Sequence, residues 1–179
     1  MRRLATLAAE PARKIGRPPP RELGEIGMHI ARDGNWFYRG SPITRASLVR
    51  LFGSVLKREA DGGYWLVTPA ERARITVEDA PFMAVELDVA GEGSAQVLTF
   101  RTNLDEIVAA DSVHRLRIAV DSVSGAPNPY IIVRDGLEAR LTRSVFYQLV
   151  ELGREERVGE LLRFGVWSSN EFFSLGETA

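Results

Sequence analysis

The stretch that decides the fold occurs twice in the sequence, as Ile30-Ala-Arg-Asp-Gly34 before Ile43-Thr-Arg45 and as Ile132-Val-Arg-Asp-Gly136 before Leu141-Thr-Arg143. In both copies a run of strand-forming residues ends in Asp-Gly, a pair that is typical of a tight hairpin turn. The Thr-Arg pair that follows places a preferred helix-capping residue just before an apolar pattern. Because several local signals agree in both copies, we predict an internal duplication.

Apolar residues after each Thr-Arg pair recur at the spacing of one face of an α-helix. The first copy has them at Leu48, Leu51, Phe52, Val55 and Leu56, and the second has them at Phe146, Leu149 and Val150. Spacings of three and four residues bring side chains onto one stripe that packs against a core. Each copy therefore predicts a strand, a turn, a second strand and a helix buried along one face.

Most of the chain between the two copies alternates apolar and polar residues, which predicts antiparallel strands. The strand-like runs are residues 64–67, 73–77, 82–89, 95–102 and 115–120, and residues 130–133 open the second copy. Thr68-Pro-Ala-Glu71 has the form of a capping box and predicts one helical turn. After Gly153, residues 154–157 are expected to continue the second helix, and residues 164–175 to pack against the body.

These elements define an α+β protein of two related units. The second unit is expected to be an antiparallel sheet or partial barrel with a following helix. We predict a leader over residues 1–21, an N-terminal unit over residues 22–80 and a C-terminal unit over residues 81–179. In a chain of 179 residues, the two units are expected to share an interface.

The composition excludes several kinds of chemistry. The chain is 45% hydrophobic and 26% charged, which is ordinary for a globular protein, but it has Cys 0 and His 2. Without cysteine there is no disulfide, no thiolate nucleophile and no cysteine-built metal cluster. His29 and His114 are expected to be structural, and the common motifs of nucleotide-binding and hydrolytic enzymes do not occur. We therefore predict a protein without catalytic activity, cofactor or metal site.

Charge is unevenly spread along the chain, although the formal net charge is only −1. Residues 1–21 carry six basic side chains and one acidic one, a net charge of +5, so the remainder carries −6. The prolines in this segment predict a flexible leader. No aromatic residues accompany its charges, which disfavours nucleic acid as a partner. Since no apolar run approaches the roughly 18 residues of a membrane span, we expect a cytoplasmic protein.

A group of short motifs carries a family resemblance. They are Asp33-Gly-Asn-Trp36, Gly40-Ser-Pro-Ile-Thr-Arg45, Leu66-Val-Thr-Pro69, Val77-Glu-Asp-Ala-Pro-Phe82, Thr102-Asn103, Pro129-Tyr130, Leu137-Glu-Ala-Arg140 and Arg143. Taken together, over about residues 22 to 152, the chain resembles the bacterial family catalogued as domain of unknown function 1285. The resemblance implies a duplicated core, a second half superficially like pleckstrin-homology folds and a binding site between the halves. It also implies a nucleotide-like ligand and a role in signal transduction.

Arg45 and Arg143 are the first candidates for contact with a ligand. Each follows a Thr at a predicted helix start, where backbone N–H groups already favour an anion. The planar guanidinium also suits phosphate and carboxylate groups. Together the two arginines could hold a phosphate between the units, and ordinary ion pairing between the units is an equal alternative.

Other candidates have structural interpretations of at least equal weight. Trp36 and Tyr38 offer stacking surface for a base, but aromatic residues in a hairpin more often belong to a core or interface. Glu78 and Asp79 could orient a ligand, yet adjacent strand residues point to opposite faces and cannot act as one carboxylate pair. A turn at the end of a strand is the favoured interpretation of these two acids.

The remaining candidate residues lie where predicted strands end. They are Thr68, Arg101, Asn103 and Tyr130. Polar groups in loops at strand ends often complete a pocket, so these side chains join the candidate site.

From these residues and the resemblance we expect a non-catalytic sensor in bacterial signal transduction, which binds an anionic, nucleotide-like ligand at the interface between its units. The alternative is a protein–protein interaction adaptor that binds a signalling partner and no small molecule. A third hypothesis is a metal-dependent hydrolase built on acidic residues such as Glu78 and Asp79.

Overall fold

The computed structural model describes residues 18–177 of the chain. Most of the predicted leader, residues 1–17, lies outside the described residues, and Arg21 already belongs to the first strand. The described chain is mostly β-sheet with two short α-helices. Its strands form three sheets, and the two larger sheets divide the chain between Val77 and Phe82.

The N-terminal unit is a six-stranded mixed sheet with one helix. In chain order its elements are β1 (Arg21–Ile30), β2 (Trp36–Tyr38), β3 (Ser41–Pro42), α1 (Ala46–Ser54), β4 (Leu56–Arg58), β5 (Tyr64–Val67) and β6 (Glu71–Val77). The strands lie in the order β3-β2-β1-β6-β5-β4. Neighbouring strands are antiparallel except β1 and β6, which run parallel at the centre of the sheet.

The C-terminal unit contains a second six-stranded sheet, a helix and a three-stranded sheet. Its elements are β7 (Phe82–Ala90), β8 (Val97–Thr102), β9 (Ile107–Ala109), β10 (Leu116–Val120), β11 (Pro127–Arg134), β12 (Leu137–Leu141), α2 (Arg143–Glu151), β13 (Arg154–Val158), β14 (Leu161–Ser168) and β15 (Glu171–Glu177). The larger sheet has the order β10-β11-β12-β7-β8-β9, with β7 and β12 parallel. The smaller sheet is the antiparallel meander β13-β14-β15.

The order of elements agrees with the predicted duplication. Each copy runs from a hairpin (β1-β2 or β11-β12) through a helix into a three-stranded meander (β4-β5-β6 or β13-β14-β15). Gly34 and Gly136 turn the two hairpins with φ values of 83° and 74°, in the region that glycine enters without strain. The copies differ at their ends, because β6 returns to pair with β1, whereas β15 stays in a separate sheet.

One hydrophobic core joins the two units. Ile30 and Trp36 from the first sheet belong to the same packed cluster as Phe82, Phe100 and Leu149 from the second unit, and each is at most 2% exposed. Burial of a side chain of this size stabilises a fold by about 1.5–3 kcal/mol. The units are therefore parts of one packed body, as the short chain led us to expect.

Long-range strand pairing overturns the local predictions at Thr68 and at residues 154–157. Thr68 begins no helical turn: its Oγ1 accepts from the backbone N–H of Glu71 at 3.0 Å and donates to the Glu71 carbonyl at 2.9 Å, which closes the turn between β5 and β6. Residues 154–157 are not helical either, because they belong to β13 and pair with β14. Their charged sequence has no apolar period of its own, so the partner strand decides their conformation.

The predicted packing of residues 164–175 is confirmed. Val166, Phe173 and Leu175 are buried in the common core. Ser168 is fully buried, and its hydroxyl accepts from the Leu98 N–H at 3.0 Å and donates to the Ala110 carbonyl at 2.7 Å. The smaller sheet is thereby joined to β8 and to the end of β9. Across residues 18–177, no helix has the length and apolar character needed to cross a membrane.

Candidate functional site

The junction between the two units carries Glu78 and Asp79, which lie in a bend between β6 and β7 and not in a strand. Their side chains turn apart. A Glu78 carboxylate oxygen accepts from the backbone N–H of Arg32 at 3.0 Å, in the N-terminal unit. Asp79 instead reaches two strands of the C-terminal unit, where it accepts from the Tyr130 hydroxyl at 2.7 Å and from Arg140 Nη1 at 2.8 Å. Glu78 therefore connects the junction to the N-terminal unit and Asp79 connects it to the C-terminal unit, so the two acids do not form a carboxylate pair.

Asp79 lies at the centre of a chain of polar contacts. Beyond Asp79, Arg140 donates from Nη2 to the Asn128 side-chain oxygen at 2.6 Å. Burial, followed by the hydrogen bond to Asp79 and its negative charge, raises the pKa of Tyr130 to about 12. The phenol therefore keeps its proton at neutral pH and stays a hydrogen-bond donor to the carboxylate.

Alkaline unfolding tests the Tyr130 contact. In the unfolded chain the phenol loses its proton near its usual pKa of 10.0, whereas in the folded protein it holds the proton to about 12. The contribution of this group to stability is therefore complete below the unfolded pKa and lost as the pH rises through the folded one. We expect the free energy of unfolding to decline between these values, and to decline less in a Tyr130→Phe variant. Identical declines in both proteins would contradict this contact.

A cavity in the described chain lies beside the start of α2. It has a volume of about 430 Å³ and belongs to the C-terminal unit. Its walls come from the end of the β10–β11 hairpin, from β12 and from the first two turns of α2, and they include Asn128, Pro129, Arg140, Arg143 and Tyr147. We call this space the helix cavity. No carboxylate and no histidine is among its lining residues.

Arg143 is the exposed cation of the helix cavity. It is the first residue of α2, and its guanidinium makes no hydrogen bond or ion pair with any residue of the described range 18–177. Thr142 precedes α2 as its N-cap, but its hydroxyl makes no capping hydrogen bond and lies 3.2 Å from the Ser144 hydroxyl. The N-terminal backbone donors of α2 are thus left without a side-chain cap beside Arg143.

Arg45, the counterpart of Arg143 in the first copy, does not line the helix cavity. It is exposed and is itself the N-cap residue of α1, so the predicted capping by Thr44 is wrong. The structure therefore gives no support to the prediction that the two arginines hold one phosphate between them. The surroundings of the two copies differ, because the β10–β11 hairpin forms a wall beside Arg143.

A second concave region follows the boundary between the units, and we call it the inter-unit groove. It consists of two cavities of about 250 and 310 Å³ that share Arg50 and Leu104. Trp36 and Asn103, both predicted as site residues, line its first part. Its second part is lined by Arg134, which contacts both units.

Arg134 is the main polar link across the groove. From β11 it donates to the Gly53 carbonyl in the last turn of α1 at 2.6 Å and to the Leu56 carbonyl at the start of β4 at 3.2 Å. It also donates to both carboxylate oxygens of Glu106, at 2.9 and 3.1 Å. A guanidinium at this position complements the negative end of the helix and binds a carbonyl of its last turn. The sequence did not single out Arg134, because its partners lie far away along the chain.

Several predicted site residues have structural roles. Trp36 is 2% exposed and stacks on Phe52 with ring centres 6.1 Å apart, so it belongs to the core and offers no surface for a base. Asn103 accepts from the Met83 N–H at 3.0 Å and lies close to Gly34. An added Cβ at Gly34 would come within 2.7 Å of Met83, which shows how closely the units approach there.

The last three candidates lie apart from the helix cavity. Tyr38 is 41% exposed and lies against the guanidinium of Arg39. Arg101 pairs with Glu86 on the neighbouring strand and with Asp105. Thr68 closes its turn, as described above. Of the ten predicted site residues, Arg143 alone is among those that line the helix cavity.

The walls of the helix cavity also hold residues that sequence reasoning missed. Asn128, Arg140 and Tyr147 were not among the predicted site residues, although each lines the cavity. Arg140 offers a signal in retrospect, since it lies between Ala139 and Leu141, two positions of a strand that are buried. An arginine in such a strand needs an acidic partner, and its partner is Asp79.

These features define a class: a two-unit, sheet-rich protein with one common core, a basic cavity beside its second helix and a groove between its units. Two family models match the chain, "Domain of unknown function (DUF1285), N-terminal domain" over residues 15–80 and "Protein of unknown function (DUF1285), C-terminal domain" over residues 81–175. The chain belongs to the DUF1285 family, which confirms the resemblance.

Two solved structures are similar to the chain. A DUF1285 family protein from Silicibacter pomeroyi DSS-3 is 48% identical, with a TM-score of 0.82, and the match covers 89% of this chain and 84% of that one. A DUF1285 family protein from Shewanella baltica OS155 is 27% identical, with a TM-score of 0.55 and coverage of 70% and 91%. Among curated proteins no match is found.

Proposed function

We propose that the protein is a non-catalytic ligand-binding protein that takes a small anionic, nucleotide-like molecule in the helix cavity. The observation that carries this proposal is a cavity of about 430 Å³ whose wall contains Arg143, a cation without a partner among residues 18–177. Arginine without an acidic neighbour is well suited to phosphate or carboxylate groups. Cavities of this volume fall within the range of small-molecule sites.

The other walls of the helix cavity suit a flat, apolar group. Pro129, Phe146 and Tyr147 line it, and Tyr147 is 57% exposed and therefore accessible at the surface. Aromatic rings give stacking surface to a base or another planar group. Since the lining includes no carboxylate and no histidine, its side chains favour binding over acid–base catalysis.

This proposal moves the expected site from the interface between the units into the C-terminal unit, next to the junction. Arg140 connects the two places, because it lines the helix cavity and pairs with Asp79. The sensor role in bacterial signalling, the cytoplasmic location and the pleckstrin-homology-like character of the C-terminal unit are parts of the same proposal. A sensor of this kind would report ligand binding through the junction.

A nucleotide screen with two matched variants tests the proposal. We expect at least one nucleotide to raise the melting temperature of the wild-type protein and to give measurable heat in calorimetry. Arg143→Ala should weaken that binding by about tenfold or more, because it removes a charge-assisted hydrogen bond that is worth about 1.5–3 kcal/mol. Arg45→Ala, the same change at the equivalent position of the first copy, should leave binding unaltered.

Two outcomes would contradict the proposal. The first is that no nucleotide stabilises or binds the protein, which would favour the adaptor hypothesis. The second is binding that Arg143→Ala leaves intact and Arg45→Ala abolishes, which would place the site at α1.

A further inference from the structure

We propose that Asp79 sets the charge of the ligand, so that the helix cavity takes an anion with a single negative charge joined to a flat ring, such as an aryl sulfate or a phosphodiester. This inference rests on the proposed function and names the ligand class of the same site. It follows from the different situations of the two arginines that line the cavity.

The positive charge of Arg140 is already compensated. Its Nη1 lies 2.8 Å from an Asp79 carboxylate oxygen, and the two side chains are 25% and 18% exposed, respectively. Tyr130 donates to the other carboxylate oxygen at 2.7 Å, so both oxygens of Asp79 have a donor. Two opposite charges this close together cancel most of each other's electrostatic potential at the position of a ligand.

Arg140 is also held in place on two sides. While Nη1 is bound to Asp79, Nη2 donates to the Asn128 side chain at 2.6 Å. The guanidinium cannot turn fully towards a ligand without breaking one of these bonds. It therefore offers a ligand its remaining N–H donors but no uncompensated charge.

Arg143 is then the only lining cation of the helix cavity without a partner among residues 18–177. A single negative charge on the ligand would be matched by it. A second negative charge would give up part of its hydration without gaining a free cation, and such an exchange is unfavourable. The lining of the cavity therefore favours a ligand with a single negative charge, and its apolar residues favour a ligand with a flat ring.

Two probes of nearly the same shape test the selection. Phenyl sulfate and phenyl phosphate both join a ring to a tetrahedral anion, but at about pH 7.5 the sulfate carries one charge and the phosphate nearly two, since the second pKa of a phosphate monoester is about 6. Amide chemical-shift titration measures both affinities. We expect the wild-type protein to bind phenyl sulfate about tenfold more tightly, a difference of about 1.4 kcal/mol.

Asp79→Asn should abolish the preference. The amide keeps one acceptor oxygen, for either Tyr130 or Arg140, and leaves the charge of Arg140 uncompensated. The affinity for phenyl phosphate should therefore rise by about tenfold relative to phenyl sulfate. Glu138→Gln is the matched control. Glu138 pairs with Arg117 at 2.6 Å in the same sheet, and neither residue lines the helix cavity, so the preference should stay as in the wild type.

The pH dependence of the wild-type protein gives a second measurement that does not depend on the variant. Below about pH 6 phenyl phosphate becomes singly charged, so its affinity should equal that of phenyl sulfate. As the pH rises, the affinity for phenyl phosphate should fall, whereas the affinity for phenyl sulfate should stay constant. The cavity lining contains no histidine or carboxylate, and Asp79, which faces Arg140, is the acid behind it.

The outcomes separate this inference from the proposed function. If both probes bind through Arg143 but the wild type prefers phenyl phosphate, or Asp79→Asn leaves the preference unchanged, Asp79 does not set the ligand charge and the proposed function stands. If phenyl phosphate binds equally across the pH range, the inference fails in the same way. If neither probe binds, the proposed site and the charge selection are both overturned.

Discussion

Replacement of Arg134 by Met is expected to destabilise the folded protein by about 2–3 kcal/mol, because a charge-assisted network between the units is lost. The variant leaves the Gly53 and Leu56 carbonyls without their donor and leaves the Glu106 carboxylate unpaired. Met fills much of the same space, so the loss reports the polar contacts and not a cavity. Urea-induced unfolding, followed by fluorescence, measures the change.

Arg50→Met is the matched control for Arg134. Arg50 also lines the inter-unit groove, but its ion pair with Asp105 is 3.3 Å long and both side chains are about half exposed. Exposed pairs of this kind contribute about 0–1 kcal/mol. Equal losses for the two variants would show that Arg134 does not link the units in the way described.

Gly165→Ala is expected to destabilise the protein by about 3 kcal/mol, at the upper end of the effect of overpacking. A Cβ at this position would lie 2.3 Å from the backbone carbonyl oxygen of Phe173 and 2.6 Å from the ring of Phe172. The carbonyl belongs to β15 and cannot move away without disturbing the pairing of β14 with β15. Thermal and urea unfolding should both show the loss.

Gly176→Ala gives the control in the same sheet. Nothing lies within 4 Å of a Cβ at Gly176, so the same substitution should change the stability little. If Gly165→Ala were as stable as the wild-type protein, β14 and β15 would not approach each other as closely as described.

The repeated sequence predicted much of the fold because its signals are local. Asp-Gly turns, strand-forming runs and the helical stripe around Leu149 depend on neighbouring residues, and the structure has these elements in the predicted order. The parallel pairing of β1 with β6 depends on residues about fifty positions apart, and nothing in the alternation of either strand specifies the partner. For the same reason the strand conformation of the charged residues 154–157 could not be predicted from these residues alone, because it depends on their pairing with β14.

The candidate site was less accessible to sequence reasoning, and the two arginines show why. Arg45 and Arg143 occupy equivalent positions of the repeat, yet only Arg143 lines a cavity with a wall from the β10–β11 hairpin. The repeat predicts what is common to the copies, whereas the cavity arises where they differ. Arg140 was missed because its role depends on Asp79, sixty-one positions away.

A crystal structure of the protein with a singly charged nucleotide that carries an anomalous scatterer, such as 8-bromo-3′,5′-cyclic AMP, tests the helix cavity as the binding site. We expect a bromine peak and a base in the helix cavity, against Tyr147 and Pro129, with the phosphate within hydrogen-bond distance of Arg143. A phosphate bound instead in the inter-unit groove, at Arg50 or Arg134, would show that the helix cavity is not the site.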